Sequence, residues 1–339
     1  MKTITPESHG ELACLNWRTL SDVRAAGVQP NQTIRRAALI LTGNCNFACP
    51  YCQTLGGDRA PTMDKDTTLA LVSGLADQGL QELRLSGGEP TTVAWLKDLV
   101  ALAHNRGVRV AISTNGYAPV RLYQDLIAAG VAEFSISLDS VDPAEADRLS
   151  GGRKNVLARV EQSIRAITAL GASVYVGMTC CASKQVPEDT EATVERIAAL
   201  GATDIKIMSI AQEGGILNTS WMSEEKKVRF PFLAWRSQNF KCGRDVRGLR
   251  ESDCSKCALA LDDVTLAGGK HYPCNVYFRE GGHSIGEVSD ATTMLAERAE
   301  WYKAHDSHKD PICSRMCMDL LATYNNRVRD LNSDLHPKG

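Results

Sequence analysis

The sequence predicts an α/β fold in which helical crossovers connect the strands of a parallel sheet. Along the first two thirds of the 339 residues, short apolar runs alternate with helical stretches. A glycine follows each predicted helix of this region, which is the usual stop signal. This repeated βα pattern is typical of a parallel sheet. Six such units make either an open barrel or a doubly wound sheet.

Six strands and five helices are predicted in this region. The strands cover 35–41, 83–86, 108–113, 133–139, 173–179 and 204–210. The helices that connect them cover 66–78, 94–105, 119–129, 155–170 and 188–200. One more helix is predicted over 223–239, where Phe232 and Trp235 share an apolar face.

The pattern divides the chain into three segments. Residues 1–34 show no strong period and form an N-terminal arm. Residues 35–217 contain the βα units, and residues 218–339 form a small region that is rich in cysteine and punctuated by glycine. Ligands of βα proteins gather at the carboxyl ends of the strands, so the polar loops that follow the strands are the candidate site.

Composition excludes several classes of protein. A formal net charge of -2 argues against a protein that binds nucleic acid polymers through charge. No stretch approaches ~18 uninterrupted apolar residues, so no membrane span is predicted. The first residues, "MKTITPESHG", show no export signal and favour a cytoplasmic location. Twelve cysteines in such a chain more often bind metal or do chemistry than form disulfides.

Three of these cysteines lie on one short loop. The stretch "TGNCNFACPYCQTLGG" holds Cys45, Cys49 and Cys52 between the first strand and the next helix. Structural zinc usually has four ligands, commonly in two pairs. Three thiolates instead bind three irons of a cubane iron–sulfur cluster and leave the fourth iron open. The alternative is a non-catalytic zinc protein whose cysteine loops support binding.

In spacing and position, this loop resembles the signature of the radical S-adenosylmethionine (SAM) superfamily. The resemblance covers roughly residues 35–215 and implies a partial (βα)6 TIM-like barrel with a [4Fe-4S] cluster on the three cysteines. It further implies that SAM chelates the open iron and is cleaved reductively to a 5′-deoxyadenosyl radical, which abstracts hydrogen from a substrate. A flavodoxin- or ferredoxin-type protein would then donate the electron.

The same resemblance assigns SAM contacts to the loop after the second strand. The sequence "SGGEP" contains Gly87 and Gly88, which permit close approach of the backbone, and Glu89, which would receive the SAM amino group. Pro90 completes this motif. Tyr51 matches an aromatic position beside the last cysteine, near the adenine. Gly-Gly-Glu-Pro alone is also an ordinary turn. Its position one βα unit after the cysteine loop supports its assignment to SAM binding.

Polar residues also follow the third and fourth strands. Along 133–139 small polar side chains alternate with apolar ones, so the polar set is expected to face the lumen. With the resemblance, the further candidates for SAM binding are Ser113, Asn115, Ser137, Asp139, Arg148 and Arg153. The alternative for each arginine is a residue of a solvated loop.

Three residues are candidates for a catalytic role. Lys206 alternates with Ile205 and Ile207 on the sixth strand, so its side chain is expected in the lumen. Cys180 and Cys181 end the fifth strand, where a thiol would approach the substrate. The alternative for both thiols is an ordinary buried position.

A second group of cysteines lies near the carboxyl end. It comprises Cys254, Cys257, Cys274, Cys313 and Cys317. The pattern Cys-x11-Gly-x4-Cys, followed by further cysteines, resembles the twitch and SPASM modules of the superfamily. That resemblance implies one auxiliary [4Fe-4S] cluster on Cys254, Cys257, Cys274 and Cys317, with Cys313 in reserve. A zinc ribbon is the alternative.

The two segments that flank the predicted barrel indicate the class of substrate. About 34 residues precede the first strand, fewer than the leader-binding domain of many peptide-modifying relatives. Five carboxyl-terminal cysteines suffice for one auxiliary cluster but not for two. Both features favour a small polar substrate of sugar, aminocyclitol or nucleotide type. The alternative is a maturase that modifies a ribosomal peptide, with or without a separate partner.

Overall fold

The computed structural model describes residues 22–30, 32–52, 61–180, 187–211 and 214–332. Within these residues nine strands form one sheet in the order β6-β5-β4-β3-β2-β1-β7-β8-β9. The first six are β1 Arg36–Ile40, β2 Glu82–Ser86, β3 Arg109–Thr114, β4 Val131–Ser137, β5 Ser173–Cys180 and β6 Asp204–Ser209. Each of the first five pairs in parallel with the next strand along the chain, and β6 is the edge strand. The predicted α/β fold with a partial barrel is confirmed.

Helices connect these strands on one side of the sheet. They are α2 Lys65–Asp77, α3 Leu96–Asn105, α4 Val120–Ala128, α5 Pro143–Leu149, α6 Val156–Ala169 and α7 Pro187–Ala199. A further helix, α1 Asp22–Ala26, precedes β1. The sequence analysis missed α5, which begins where the side chain of Asp142 accepts a hydrogen bond from the backbone N–H of Glu145.

Side chains alternate along the strands, so the sheet has one apolar face and one charged face. Phe134, Ile136 and Leu138 are buried in the core between sheet and helices. The opposite face begins with a row of alternating charge across neighbouring strands. In register, Asp263 lies beside Arg36, Arg36 beside Glu82, and Glu82 beside Arg109. Because each charge has an opposite neighbour, this row forms a paired floor inside the barrel.

The carboxyl-terminal region continues the same sheet. Strand β7, Asp263–Ala267, pairs in parallel with β1, and β8, Lys270–Tyr272, and β9, Gly286–Glu287, follow antiparallel. The division of the chain at residue 217 stays a prediction. The helices after this position are α8 Glu224–Arg229, α9 Pro231–Lys241, α10 Asn275–Arg279, α11 Ala291–Ala304, α12 Pro311–Met316 and α13 Asp319–Leu331.

The single helix predicted over 223–239 is two helices, α8 and α9. Pro231 causes the break, because proline lacks the backbone N–H that a continuous helix requires and restricts the residue before it. Phe232 and Trp235 are both buried, as their shared apolar face predicts. In the part of the chain that the structure describes, no helix has the length and apolarity needed to cross a membrane.

One buried carboxylate joins the amino-terminal helix to the carboxyl-terminal region. Asp262 is fully buried and accepts hydrogen bonds from Arg24, from Arg35 at 2.6 Å and from the hydroxyl of Tyr324 at 2.7 Å. Arg35 precedes β1 and Tyr324 lies on α13. This contact therefore fixes α1 and α13 against the start of the sheet.

Candidate active site and cysteine clusters

A cavity of about 320 Å³ lies at the carboxyl ends of the strands. Its walls include the cysteine loop and the residues that follow β2, β3, β4 and β6. Predicted site residues in its lining are Cys45, Cys49, Tyr51, Cys52, Gly87, Gly88, Glu89, Ser113, Asn115, Ser137 and Asp139. The strand-end rule thus brings residues from four separate loops to one place.

The cysteine loop is held by backbone contacts to its neighbours. The N–H of Cys52 donates to the carbonyl of Cys49 at 3.0 Å, and the N–H of Ala48 donates to the carbonyl of Ser150 at 2.9 Å. Burial raises the pKa of Cys49 to about 12, and Asp139, Cys52 and Cys45 add to that rise. Three thiols within electrostatic reach of one another disfavour their own thiolates. A positively charged metal centre would relieve this repulsion, so the donor set suits an iron–sulfur cluster.

The glycine loop after β2 rests directly on the backbone of the cysteine loop. The N–H of Gly88 donates to the carbonyl of Thr42 at 2.7 Å, and the N–H of Glu89 donates to that of Asn44 at 2.8 Å. A Cβ on Gly87 would come within 2.4 Å of the Thr42 carbonyl oxygen. The backbone of Gly87 also has φ +146°, which favours glycine. These contacts explain why this motif requires two glycines.

Glu89 is buried beneath this loop and is held by four hydrogen bonds. Its Oε1 accepts from the N–H and hydroxyl of Thr91, at 3.0 and 2.7 Å, and from the hydroxyl of Thr114 at 2.8 Å. Its Oε2 accepts from the N–H of Asn115 at 2.7 Å. Burial raises the pKa of Glu89, and these bonds offset part of the rise. An ammonium group beside Oε2 would stabilise the carboxylate further.

Tyr51 connects the cysteine loop to the end of β4. Its hydroxyl donates a hydrogen bond to the carboxylate of Asp139. Burial, followed by the charge of Asp139, raises the pKa of Tyr51, so its hydroxyl keeps its proton at neutral pH. The carboxylate of Asp139 therefore already has a hydrogen-bond partner within the protein.

Three predicted SAM contacts lie outside the described lining of the cavity. Arg148 is exposed and forms two hydrogen bonds, at 2.6 and 2.7 Å, with Glu145 on its own helix. Arg153 is also exposed, and its Nε donates to the carbonyl of Asn46. Pro90 is buried at the start of a short 3-10 turn, Pro90–Thr92. The arginines thus lie with other partners, and Pro90 shapes the turn.

The predicted catalytic candidates are not brought together. Lys206 faces the barrel interior, where its Nζ lies 4.8 Å from the ring centre of Tyr175, but it is not among the residues that line the cavity. Burial lowers the pKa of Lys206 to about 7. Cys180 ends β5, and nothing is described of its side chain. Cys181 lies outside the described residues.

Two arginines that the sequence analysis missed line the same cavity. Arg247 lies on the segment before the second cysteine group, and Arg279 ends α10. No local motif marks either residue, because both reach the cavity only when the carboxyl-terminal region folds beside the barrel. Arg279 donates from Nη2 to Ser86 Oγ at 3.4 Å, directly before the glycine loop.

The second cysteine group surrounds a separate small cavity. Its lining contains all five thiols, Cys254, Cys257, Cys274, Cys313 and Cys317. Burial raises the pKa of Cys274 to about 12, and the neighbouring thiol of Cys257 contributes. As in the first group, the thiols repel one another as anions. The donors therefore suit an iron–sulfur cluster, and more thiols are present than the four such a cluster needs.

The five thiols are electrostatically linked to one another. For both Cys313 and Cys317, the largest contributions from charged neighbours come from Cys257 and Cys274. Cys254 in turn raises the pKa of Cys257, so all five belong to one group. Cys313 also lies 3.5 Å from Nε2 of His305, whose ring stacks on Trp301. Cys313, predicted as the reserve ligand, is thus as central as Cys317.

Comparison with known proteins agrees with this geometry. Residues 39–197 match the Radical SAM superfamily. A GTP 3',8-cyclase of Synechococcus elongatus is 37% identical over 40% of this chain, and the chain spans only 43% of that relative. A PqqA peptide cyclase of Ruegeria pomeroyi is 30% identical over 81% of this chain and 72% of that protein. The match to the peptide cyclase therefore extends well beyond the barrel.

Solved structures show the same fold. Streptococcus suis SuiB bound to its precursor peptide SuiA superposes with a TM-score of 0.61 at 13% identity, over 86% of this chain and 71% of that one. SuiB has also been solved bound to S-adenosylmethionine. The second cysteine group suits an auxiliary [4Fe-4S] cluster. The chain belongs to the radical SAM superfamily and is an enzyme whose cofactors are S-adenosylmethionine and a [4Fe-4S] cluster.

Proposed function

We propose that this enzyme abstracts a hydrogen atom from a small polar substrate of sugar, aminocyclitol or nucleotide type. The observation that supports the proposal is the cavity itself. Its volume of about 320 Å³ is at the low end for small-molecule sites and is shared with SAM and the first cluster, so the part left for the substrate is small. Hydroxyl, amide, carboxylate and guanidinium groups line it, and these suit a hydroxylated or phosphorylated ligand.

In this proposal Cys45, Cys49 and Cys52 hold the cluster that binds SAM. When bound, the reduced cluster and SAM together supply a carbon-centred radical that removes a hydrogen atom from the substrate. The protein's own residues position the reactants. Glu89 Oε2 receives the amino group of SAM, and the glycine loop keeps that carboxylate beside the cysteine loop through the Glu89–Asn44 backbone bond.

The remaining lining residues orient the ligands and limit access of water. Ser113 is fixed because its hydroxyl accepts a hydrogen bond from Arg84 Nη1 at 3.2 Å. Tyr51 and Asp139 hold the cysteine loop against β4. Arg84 lies two residues beyond Glu82 of the charged floor and pairs with Glu133 at 3.0 Å, so paired charges close this end of the barrel. A closed floor protects a radical from quenching on that side.

The test is anaerobic turnover of the reconstituted protein with SAM, a reductant and a panel of candidate substrates. Formation of 5′-deoxyadenosine is followed for sugar phosphates, aminocyclitols and nucleotides, with the Cys45, Cys49 and Cys52 triple alanine variant as the matched control. A true substrate accelerates SAM cleavage, and its deuterated form transfers deuterium into 5′-deoxyadenosine. Wild-type protein that carries its clusters but never cleaves SAM would refute the proposal.

One observation favours a second candidate, modification of a peptide. The relative whose match extends over 81% of this chain is named a PqqA peptide cyclase, whereas the match to the GTP cyclase covers only 40%. Peptides therefore belong in the same panel. Deuterium transfer from a labelled peptide, with only uncoupled SAM cleavage in the presence of the small molecules, would replace the first candidate by the second.

A further inference from the structure

We propose that Arg247 and Arg279 form a binding site for an anionic group of the substrate, either a carboxylate or a phosphate. The inference rests on the proposed function, because it assigns part of the same cavity to the substrate. Both guanidiniums line that cavity together with Cys52 and Ser86, although both come from the carboxyl-terminal region.

Arg279 is held in the cavity by neutral groups. Its Nη2 donates to Ser86 Oγ at 3.4 Å, and its Nε donates to Asn275 Oδ1 at 3.3 Å. Among the described residues, no carboxylate lies within 4.0 Å of its guanidinium nitrogens. These two contacts orient the guanidinium and leave its charge without a direct counterion.

Arg247 is fixed by its backbone and only weakly paired through its side chain. It pairs with Met318 in an antiparallel bridge, and the next residue, Gly248, donates its N–H to the carbonyl of Cys317 at 2.9 Å. Its Nε is buried without a hydrogen-bond partner, and its Nη1 lies 4.0 Å from Glu280. A half-buried guanidinium in this state has donors left for a ligand.

Other arginines of the protein that face inward have a close carboxylate partner. Arg236 contacts Asp319 at 2.8 Å, and Arg84 contacts Glu133 at 3.0 Å. Arg247 is half-buried with its nearest carboxylate at 4.0 Å, and Arg279 is exposed and held only by neutral side chains. Because both guanidiniums lie on the wall of a ligand cavity, we expect a ligand to supply the close negative charge.

The chemistry of the guanidinium selects the group that binds. Its planar donors match the two oxygens of a carboxylate or the oxygens of a phosphate. The carboxylate of SAM is the competing occupant. The residues predicted to contact SAM all belong to the barrel, whereas both arginines come from the carboxyl-terminal region. The substrate is therefore the better source of the anion.

The experiment uses the reconstituted enzyme saturated with SAM under anaerobic conditions. Binding of inorganic phosphate and of succinate is measured by calorimetry for the wild type, Arg247→Gln, Arg279→Gln and the double variant. Arg165→Gln, on the exposed face of α6, is the matched control. We expect the wild type to bind at least one probe and the double variant to bind it about tenfold more weakly or worse. The probe that binds identifies the group as phosphate or carboxylate.

The affinity for SAM, measured in parallel, separates the two occupants. Equal binding of the probes by the wild type and the double variant, or binding of neither probe by the wild type, would overturn the inference. Weaker binding of SAM with unchanged binding of the probes would also overturn it and assign the arginines to SAM. Formation of 5′-deoxyadenosine reports separately on the proposed function, because a wild type that binds the anion but never cleaves SAM contradicts only that function.

Discussion

Gly88 lies so close to Asn44 that a Cβ on the glycine would come within 2.2 Å of the asparagine carbonyl oxygen. That same carbonyl accepts the N–H of Glu89 at 2.8 Å. The loop that carries the cysteines and the loop that carries the glutamate therefore share one tight backbone contact. A change at Gly88 has to move one loop relative to the other.

Gly88→Ala is therefore expected to impair both SAM binding and retention of the first cluster. The added methyl group meets backbone rather than a flexible side chain, so the clash cannot be relieved by a rotamer change. Iron content per chain and the affinity for SAM are measured after anaerobic reconstitution. Gly74→Ala in α2 is the control, since its Cβ meets nothing within 4 Å and alanine favours the helix by ~1 kcal/mol. Normal iron content and SAM affinity in Gly88→Ala would show that the loops separate freely.

Replacement of Cys45, Cys49 and Cys52 by alanine is expected to abolish SAM cleavage while sparing the second cluster. The two cysteine groups line separate cavities, so loss of one donor set leaves the other intact. The triple variant should keep about four irons per chain, against about eight in the wild type. Zinc in place of the residual iron would favour a ribbon in the carboxyl-terminal region. About twelve irons in the wild type would contradict a single auxiliary cluster.

Much of the barrel could be predicted because its signals are local. Strand β4 alternates polar and apolar residues, and Ser137 and Asp139 line the cavity while Phe134 and Ile136 are buried. The glycine and cysteine loops follow directly from strand ends. The period of two and the strand-end rule predict where these residues lie, and the resemblance to the radical SAM superfamily implies their roles.

The features that were missed depend on contacts between distant segments. Strand β7 pairs with β1 across more than 200 residues, and its short sequence gives no sign of its partner. Arg247 and Arg279 reach the cavity for the same reason. Arg148 was chosen because it follows β4, yet Glu145, three residues before it on α5, holds its guanidinium. Sequence order alone does not distinguish these arginines.

Cys313 is expected to be a ligand of the auxiliary cluster, although the sequence placed it in reserve. It lines the small cavity with the other four thiols, and the charges of Cys257 and Cys274 act strongly on it. Cys313→Ala should then lose iron from the auxiliary site, whereas Cys242→Ala, at an exposed position, should keep about eight irons per chain. Iron analysis and electron paramagnetic resonance of the reduced proteins make the comparison. Iron kept in full by Cys313→Ala would restore the ligand set that the sequence favoured.

Lys206 is expected to make the stability of the protein rise with pH above neutrality. Burial lowers its pKa to about 7 in the folded state, from an ordinary value of 10.5. Between these values the unfolded chain binds more protons than the folded chain, so the free energy of unfolding increases with pH, by at most ~1.4 kcal/mol per pH unit. Asp204, whose pKa burial raises to about 7, contributes the opposite slope, but only between pH 3.8 and about 7.

The test is therefore confined to pH 7.5–9.5, outside the range in which Asp204 titrates, with about two pH units between the extremes. Anaerobic urea unfolding at intervals across this range should show a more positive slope for the wild type than for Lys206→Met. The buried thiols, whose raised pKa gives the opposite slope near pH 9, affect both proteins alike and cancel in this comparison. Methionine keeps much of the length and apolar character of the buried stem. Lys97→Met, at an exposed position of α3, is the control and should retain the wild-type slope. If Lys206→Met retained the full slope, the charge on Lys206 would not be the group that couples folding to pH.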